Sequence, residues 1–335
     1  MITFRSIALL VYILVLHSTQ SYAAPLELGL PIKCTLGKDC WPVNFVDLDP
    51  GPGVRDFRCN KHSYDGHKGT DIAIRDLAAM AEGVPVVASA AGTVAGIRDG
   101  MADVDFMLKG RESVRNKECG NGVLLNHGGG WSTQYCHLRR LSVKVKKGQK
   151  VVSGQILGMA GISGMAQFPH VHLSVRYQGK KVDPFKGLDP SPKCGIGTSL
   201  LWHPDALKAL SVRPDAIYTA GFAAKAPKPE AVRAGLHLDK VLPKSAPVLL
   251  FWLDSFWLAQ GDTLEFRMID PSGQLVVKKS MVIEKTKARQ LLYIGLKKKK
   301  LYWQEGRWQG SATLKRKGSQ ATVDTIRITR TVDIR

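Results

Sequence analysis

Between Lys61 and Phe185 the apolar positions come in short runs that glycine keeps interrupting. Val84 to Ala90, Gly120 to Asn126, Ser132 to Leu138, Gln149 to Leu157 and Val171 to Tyr177 each read as a strand, and sequences such as His127-Gly128-Gly129-Gly130 supply the turns. No stretch here carries the apolar period of a long amphipathic helix, so an antiparallel β architecture is expected. Met101 to Cys119 is charged and aperiodic, and is expected to be a loop inserted between strands.

The second half has a different texture. Pro190, Pro192, Pro204 and Ala226-Pro227-Lys228-Pro229 mark a loosely organised connection. Beyond it, Leu264, Phe266 and Met268 alternate with Glu265 and Arg267 ahead of the turn Asp270-Pro271-Ser272-Gly273. Ile326, Ile328, Val332 and Ile334 alternate in the same way. Period-2 burial in short strands predicts a small β-sandwich, for which an immunoglobulin-like arrangement is one option. The whole chain is thus expected to be all-β.

The N-terminus changes what compartment the rest must suit. Arg5, an apolar stretch from Ile7 to Leu16, and small residues at Ser21 and Ala23 have the layout of a secretory signal peptide over residues 1–23. No later apolar run approaches the roughly 18 residues needed to span a bilayer, so no integral membrane protein is expected after cleavage. The expected location is periplasmic or secreted. Six cysteines (Cys34, Cys40, Cys59, Cys119, Cys136 and Cys194) then read as disulfide partners rather than metal thiolates. Cys34, Cys40 and Cys59 are expected to tie down the N-terminal arm, and Cys119 and Cys136 to lie near each other on neighbouring strands.

The 335 residues carry 48 Lys+Arg against 28 Asp+Glu, a formal net charge of +20. That balance calls for an anionic surface, and export leaves an anionic wall polymer or lipopolysaccharide rather than nucleic acid. Residues 195–335 hold twice as many basic as acidic residues, and Lys297 to Lys300 form a basic run. A solvated loop explains that run as well as a docking patch does.

The candidate chemistry lies in the first half. His67-Lys68-Gly69-Thr70-Asp71 sets an imidazole and a carboxylate four apart, and His170-Val171-His172 puts two imidazoles on one face of a strand. His137 closes the strand Gln134-Tyr135-Cys136-His137-Leu138. Singly, each has a bland reading as a satisfied core histidine. Together they offer what a catalytic zinc needs: His and carboxylate ligands with one position left for water, and further histidines to carry protons. There is no His-Glu-x-x-His helix and no Gly-x-Ser-x-Gly elbow, so neither a thermolysin-type nor that serine-hydrolase site is supported.

The ordered set Tyr64-Asp65-Gly66-His67-Lys68-Gly69-Thr70-Asp71, Gly83-Val84-Pro85-Val86, Gly92-Thr93-Val94, Gly120-Asn121-Gly122-Val123, Tyr135-Cys136-His137-Leu138, Gly148 with Gly154 and Gly158, and His170-Val171-His172 resembles the lysostaphin-type (LytM-like) zinc metallopeptidases. The resemblance covers roughly residues 60–185. It implies one Zn2+ per chain on His67, Asp71 and His172, with His137 and His170 flanking the catalytic water. It also implies peptidoglycan peptides as substrate. Cys136 and the charged 101–119 segment depart from the family pattern, which puts substrate choice in doubt more than chemistry.

The organisation expected is therefore a leader (1–23), a Cys-containing arm (24–60), a peptidase domain (61–190), a linker and start of the second domain (191–235), and a basic β-sandwich (236–335). Two rival functions stay open at this point: a non-catalytic wall-binding activator of other hydrolases, and a zinc peptidase directed at proteins.

Overall fold

Strands form where β-branched and aromatic residues alternate between a covered and an open face, and this chain folds almost entirely that way. The computed structural model describes residues 26–211, 216–317 and 323–335. The expected leader lies outside them. No described helix is long and apolar enough to cross a membrane.

The first half contains β1 (Cys40–Asn44), β2 (Thr70–Ile74), β3 (Pro85–Val87), β4 (Gly92–Arg98), β5 (Asn121–Gly128), β6 (Trp131–Leu138), β7 (Lys150–Val151), β8 (Ile156–Met159), β9 (His170–Tyr177) and β10 (Lys180–Val182). One sheet runs β1-β2-β9-β6-β5-β4-β7, with β10 on the free side of the β9 end, and β3 pairs with β8 in a second, small sheet. These pairings are antiparallel, as the pattern predicted. Ile72, Val123, Tyr135, Leu173 and Val175 fill the core on one face of the large sheet. The opposite face is covered at Trp41, Val43 and Ala73 by the second half and borders a cleft along His172, Ser174 and Arg176.

Some elements differ from the sequence reading. The run Gln149 to Leu157 is not one strand: a turn closed by Gln155 N–H donating to Val152 O separates β7 from β8, and Gly154 there has φ +79°. β1, β2 and β4 were not legible as strands. β2 is buried at every position because Ile72 and Ile74 face the core while Ala73 on the other face packs against the second half, so it lacks the alternation that reveals a half-exposed strand.

The second half contains β11 (Ala216–Ala223), β12 (Val241–Leu242), β13 (Val248–Leu258), β14 (Thr263–Ile269), β15 (Leu275–Val282), β16 (Lys287–Lys297), β17 (Gly306–Lys317) and β18 (Val323–Ile334). Sheets β11-β13-β16 and β12-β18-β17-β14-β15 enclose a core that includes Phe222, Phe251, Leu253, Phe266, Met268 and Leu314. This is the expected sandwich, with one departure: β12 pairs with β18 in parallel. In β14, Leu264, Phe266 and Met268 are buried and their neighbours half-exposed, as the alternation required.

The two halves share a seam. Trp41, Val43 and Ala73 from the first sheet pack against Ala216, Tyr218, Phe256 and Trp257. Trp257 Nε1–H donates to Val43 O at 2.5 Å. β13 is covered by the sandwich core on one face and by this seam and the short helix Pro229–Arg233 on the other, which is why it is buried almost throughout.

Three disulfides join Cys34 to Cys40, Cys59 to Cys194 and Cys119 to Cys136. Cys59 pairs with Cys194, 135 residues on, instead of closing within the arm, so the arm is tied to the segment that follows β10. Cys119 and Cys136 are neighbours as expected, but Cys119 sits in the turn before β5 rather than on a strand, so the bond fastens the inserted loop to β6.

Candidate metal centre

β2 and β9 lie side by side in the register Asp71↔His172, and the turn before β2 folds His67 over that pair. His67 Nε2 lies 3.2 Å from Asp71 Oδ1 and 3.1 Å from His172 Nδ1, and His172 Nδ1 lies 2.8 Å from Asp71 Oδ1. These three atoms converge closely enough to share an ion. Gly69 permits the convergence: a Cβ there would sit 2.6 Å from His172 Nε2 and 2.5 Å from Leu173 O.

The outer atom of each of the three side chains is already engaged. His67 Nδ1–H donates to Phe45 O at 2.6 Å, which leaves Nε2 as the free lone pair. Asn44 Nδ2 donates to Asp71 Oδ2 at 2.8 Å. His172 Nε2 lies 2.9 Å from Ser174 Oγ, which suits a protonated Nε2 and a free Nδ1. Such partners fix tautomer and ring orientation in metal sites, so two imidazoles and a carboxylate with occupied outer atoms fit a divalent cation. Asp71 is held far below the usual carboxylate range despite its burial, because the imidazoles of His67, His170 and His172 surround it. A second close group, Cys34, Asp39 and Cys40, offers no thiolate because its cysteines form a disulfide.

His137 and His170 flank the triad. Their rings are 4.6 Å apart, and that of His137 is 5.8 Å from that of His172. His137 Nδ1–H donates to Ser163 O, and His170 Nδ1–H to Phe168 O, each at 2.8 Å, which leaves His137 Nε2 unprotonated and sets His170 Nε2 3.7 Å from Asp71 Oδ1. His137 has φ +62° at a register shift in the β5–β6 pairing, and the bulge turns its side chain into the site beside Cys136. Burial, reinforced by His170 and His172, holds His137 well below the ordinary imidazole value. It therefore stands neutral, able to accept a proton.

Gly120 is required where the inserted loop rejoins the sheet. It has φ +64°, and a Cβ would lie 2.4 Å from Ser163 O. The 101–119 segment folds into two short 3-10 turns, and its Arg111, Asn116, Glu118 and Cys119 wall a cleft of about 730 Å³ that contains His67, His137 and His172. Tyr64 stands 45% exposed at the rim, its ring 4.4 Å from that of His67.

Sequence reasoning named the five central residues, and the fold brings all five together. It missed Asn44, Ser174, Ser163 and Phe168. Ser174 had a signal, since it lies two residues beyond His172 on the same strand face. Asn44 had none, because β1–β2 pairing alone sets it beside Asp71.

An antiparallel sheet thus carries a His-Asp-His set that could hold a metal ion, with His137 and His170 beside it. Residues 65–184 match the model described as Peptidase family M23, so the chain carries a domain of that family. Peptidoglycan DD-endopeptidase ShyA of Vibrio cholerae is 33% identical over 124 residues, 37% of this chain and 23% of ShyA. Cell division protein DipM of Caulobacter vibrioides is 29% identical over 172 residues, 51% of this chain and 23% of DipM. DD-carboxypeptidase/endopeptidase Mpg of Neisseria meningitidis is 30% identical over 132 residues, 39% of this chain and 25% of Mpg. The matches thus span about a quarter of the length of these relatives.

Proposed function

We propose that the protein is an exported zinc metallo-endopeptidase that hydrolyses peptide bonds of bacterial peptidoglycan. The observation that carries this reading is the convergence of His67 Nε2, Asp71 Oδ1 and His172 Nδ1 with every outer atom satisfied. Those three residues are the proposed ligands. When bound, zinc supplies Lewis-acid polarisation of the scissile carbonyl and acidification of the attacking water.

The chain's own groups do the rest. His137 faces the cleft and His170 stands beside it with Nε2 3.7 Å from Asp71 Oδ1; the ring that takes the proton from water at Nε2 returns it to the leaving amine, while the other, once protonated at both nitrogens, donates Nε2–H to the developing oxyanion. Ser163 O and Phe168 O hold both rings with Nδ1 protonated, which leaves Nε2 of each ring to exchange the proton. Phe168 is in turn packed between His170, at 4.7 Å, and Phe256 of the sandwich, at 5.7 Å, so the second half abuts the site's support.

All five positions are intact, which favours catalysis over a purely activating role. Lys297, Lys299 and Lys300 are exposed beside other lysines of the sandwich, in keeping with contact to anionic wall polymer or lipopolysaccharide. Such attraction weakens with salt. Incubating the mature protein with purified peptidoglycan and with a folded protein substrate tests the reading: wall peptides are expected to be released and the protein left whole.

A further inference from the structure

Along β9 the cleft face carries His172, Ser174 and Arg176, while Leu173 and Val175 are buried beneath. Arg176 therefore lies on the same open face as the metal triad, about 13 Å further along the strand. Arg98, paired with Gly122 on β4, three strands across from β9, lines the same cleft. Arg111 reaches the same cleft from the inserted loop.

Arg176 lacks a counter-charge among the described residues and is half-buried. Among the described residues no carboxylate pairs with it, its cross-strand neighbour on β10 is Lys181, and half-burial already pulls its guanidinium pKa down. Arg98 donates to Gly120 O, and Glu118, fixed by Asn116 N–H, offsets part of its charge. Arg111 has no carboxylate partner among the described residues. A half-desolvated guanidinium with no counter-charge, facing an open cleft, is matched by a planar oxyanion that it can hold bidentately.

We infer that this cleft selects peptides bearing a free carboxylate roughly two to four residues from the scissile bond, with Arg176 as the residue that binds it. The inference rests on the endopeptidase reading for the bond cut, but its test does not. The ligand is an acidic peptide, and the wall peptides proposed above as substrate carry such carboxylates.

The experiment uses the zinc-loaded full chain with His137→Ala, to prevent turnover, and two synthetic wall peptides of one sequence: one with free carboxylates, one with them amidated. Calorimetry is expected to show about tenfold tighter binding of the free acid, in line with loss of one charge-assisted contact. Adding Arg176→Gln should erase that preference and leave affinity for the amidated peptide unchanged. Adding Lys279→Gln, an exposed lysine of the sandwich, should leave the preference intact. Equal binding of both peptides, or a preference that survives Arg176→Gln, overturns the inference. Cleavage assays with the unsubstituted protein are read separately. A carboxylate preference in binding with neither peptide cut would keep this inference and overturn the endopeptidase reading.

Discussion

Ser174 Oγ lies 2.9 Å from His172 Nε2, on the same strand face and two residues further along β9. That contact leaves His172 Nδ1 to meet Asp71 and His67, so a serine with no place in the motif sets which nitrogen the centre receives. Ser174→Ala is expected to lower zinc affinity about 10- to 100-fold while leaving the fold intact. Competition with a chromophoric chelator measures this. Unchanged affinity would mean that strand geometry alone orients His172.

His137 and His170 sit outside the triad with Nδ1 held by carbonyl oxygens. Replacing either by Ala should reduce turnover by at least about 100-fold, the usual contribution of a positioned acid or base, with zinc still bound at one per chain. Metal analysis beside a cleavage assay separates the two effects. Activity retained in both variants would remove them from the chemistry.

How much of this was legible in the sequence follows from the range of each contact. His67 with Asp71, and His170 with His172, are close in the chain, and strand period 2 carries the second pair onto one face. His137 is recognisable at the end of its strand, yet the bulge that aims it is not. Asn44 reaches Asp71 only because β1 pairs with β2, 27 residues away, and nothing local in the arm announces that pairing. The alternation in β14 was readable because one face is partly open. β13, covered on both faces, has no alternation to read.

Cys59 and Cys194 are 135 residues apart, and only the folded chain shows them as partners. Closing so long a loop constrains the unfolded chain, so replacing both by Ser should cost up to about 4–5 kcal/mol. Denaturant unfolding with zinc saturating reads the loss. A change below about 1 kcal/mol would show that the unfolded chain is restrained by other means.

Asp183 lies 4% exposed, with Oδ1 accepting Phe185 N–H at 2.8 Å and Oδ2 unpartnered. Burial, with the nearby Asp56 carboxylate adding to it, pushes this carboxyl up to about 7 against the pull of Phe185 N–H. In the unfolded chain it ionises near pH 3.9, so the native state binds the extra proton between those values. Native stability is therefore lost as pH rises from about 4 to about 7, by at most about 1.4 kcal/mol per pH unit, and the loss levels off above. Asp183→Asn lacks that ionisation, so its melting temperature relative to the unsubstituted protein should climb across that window. A difference that stays flat from pH 4 to 8 would contradict the buried-proton assignment.

The most direct test of the central claim is mass spectrometry of soluble fragments released from purified peptidoglycan, with and without a zinc chelator. Release that stops with the chelator and returns with added zinc is predicted, and the fragment masses then identify the bond cut. No release from several wall chemistries, with zinc shown to be bound, would contradict the account.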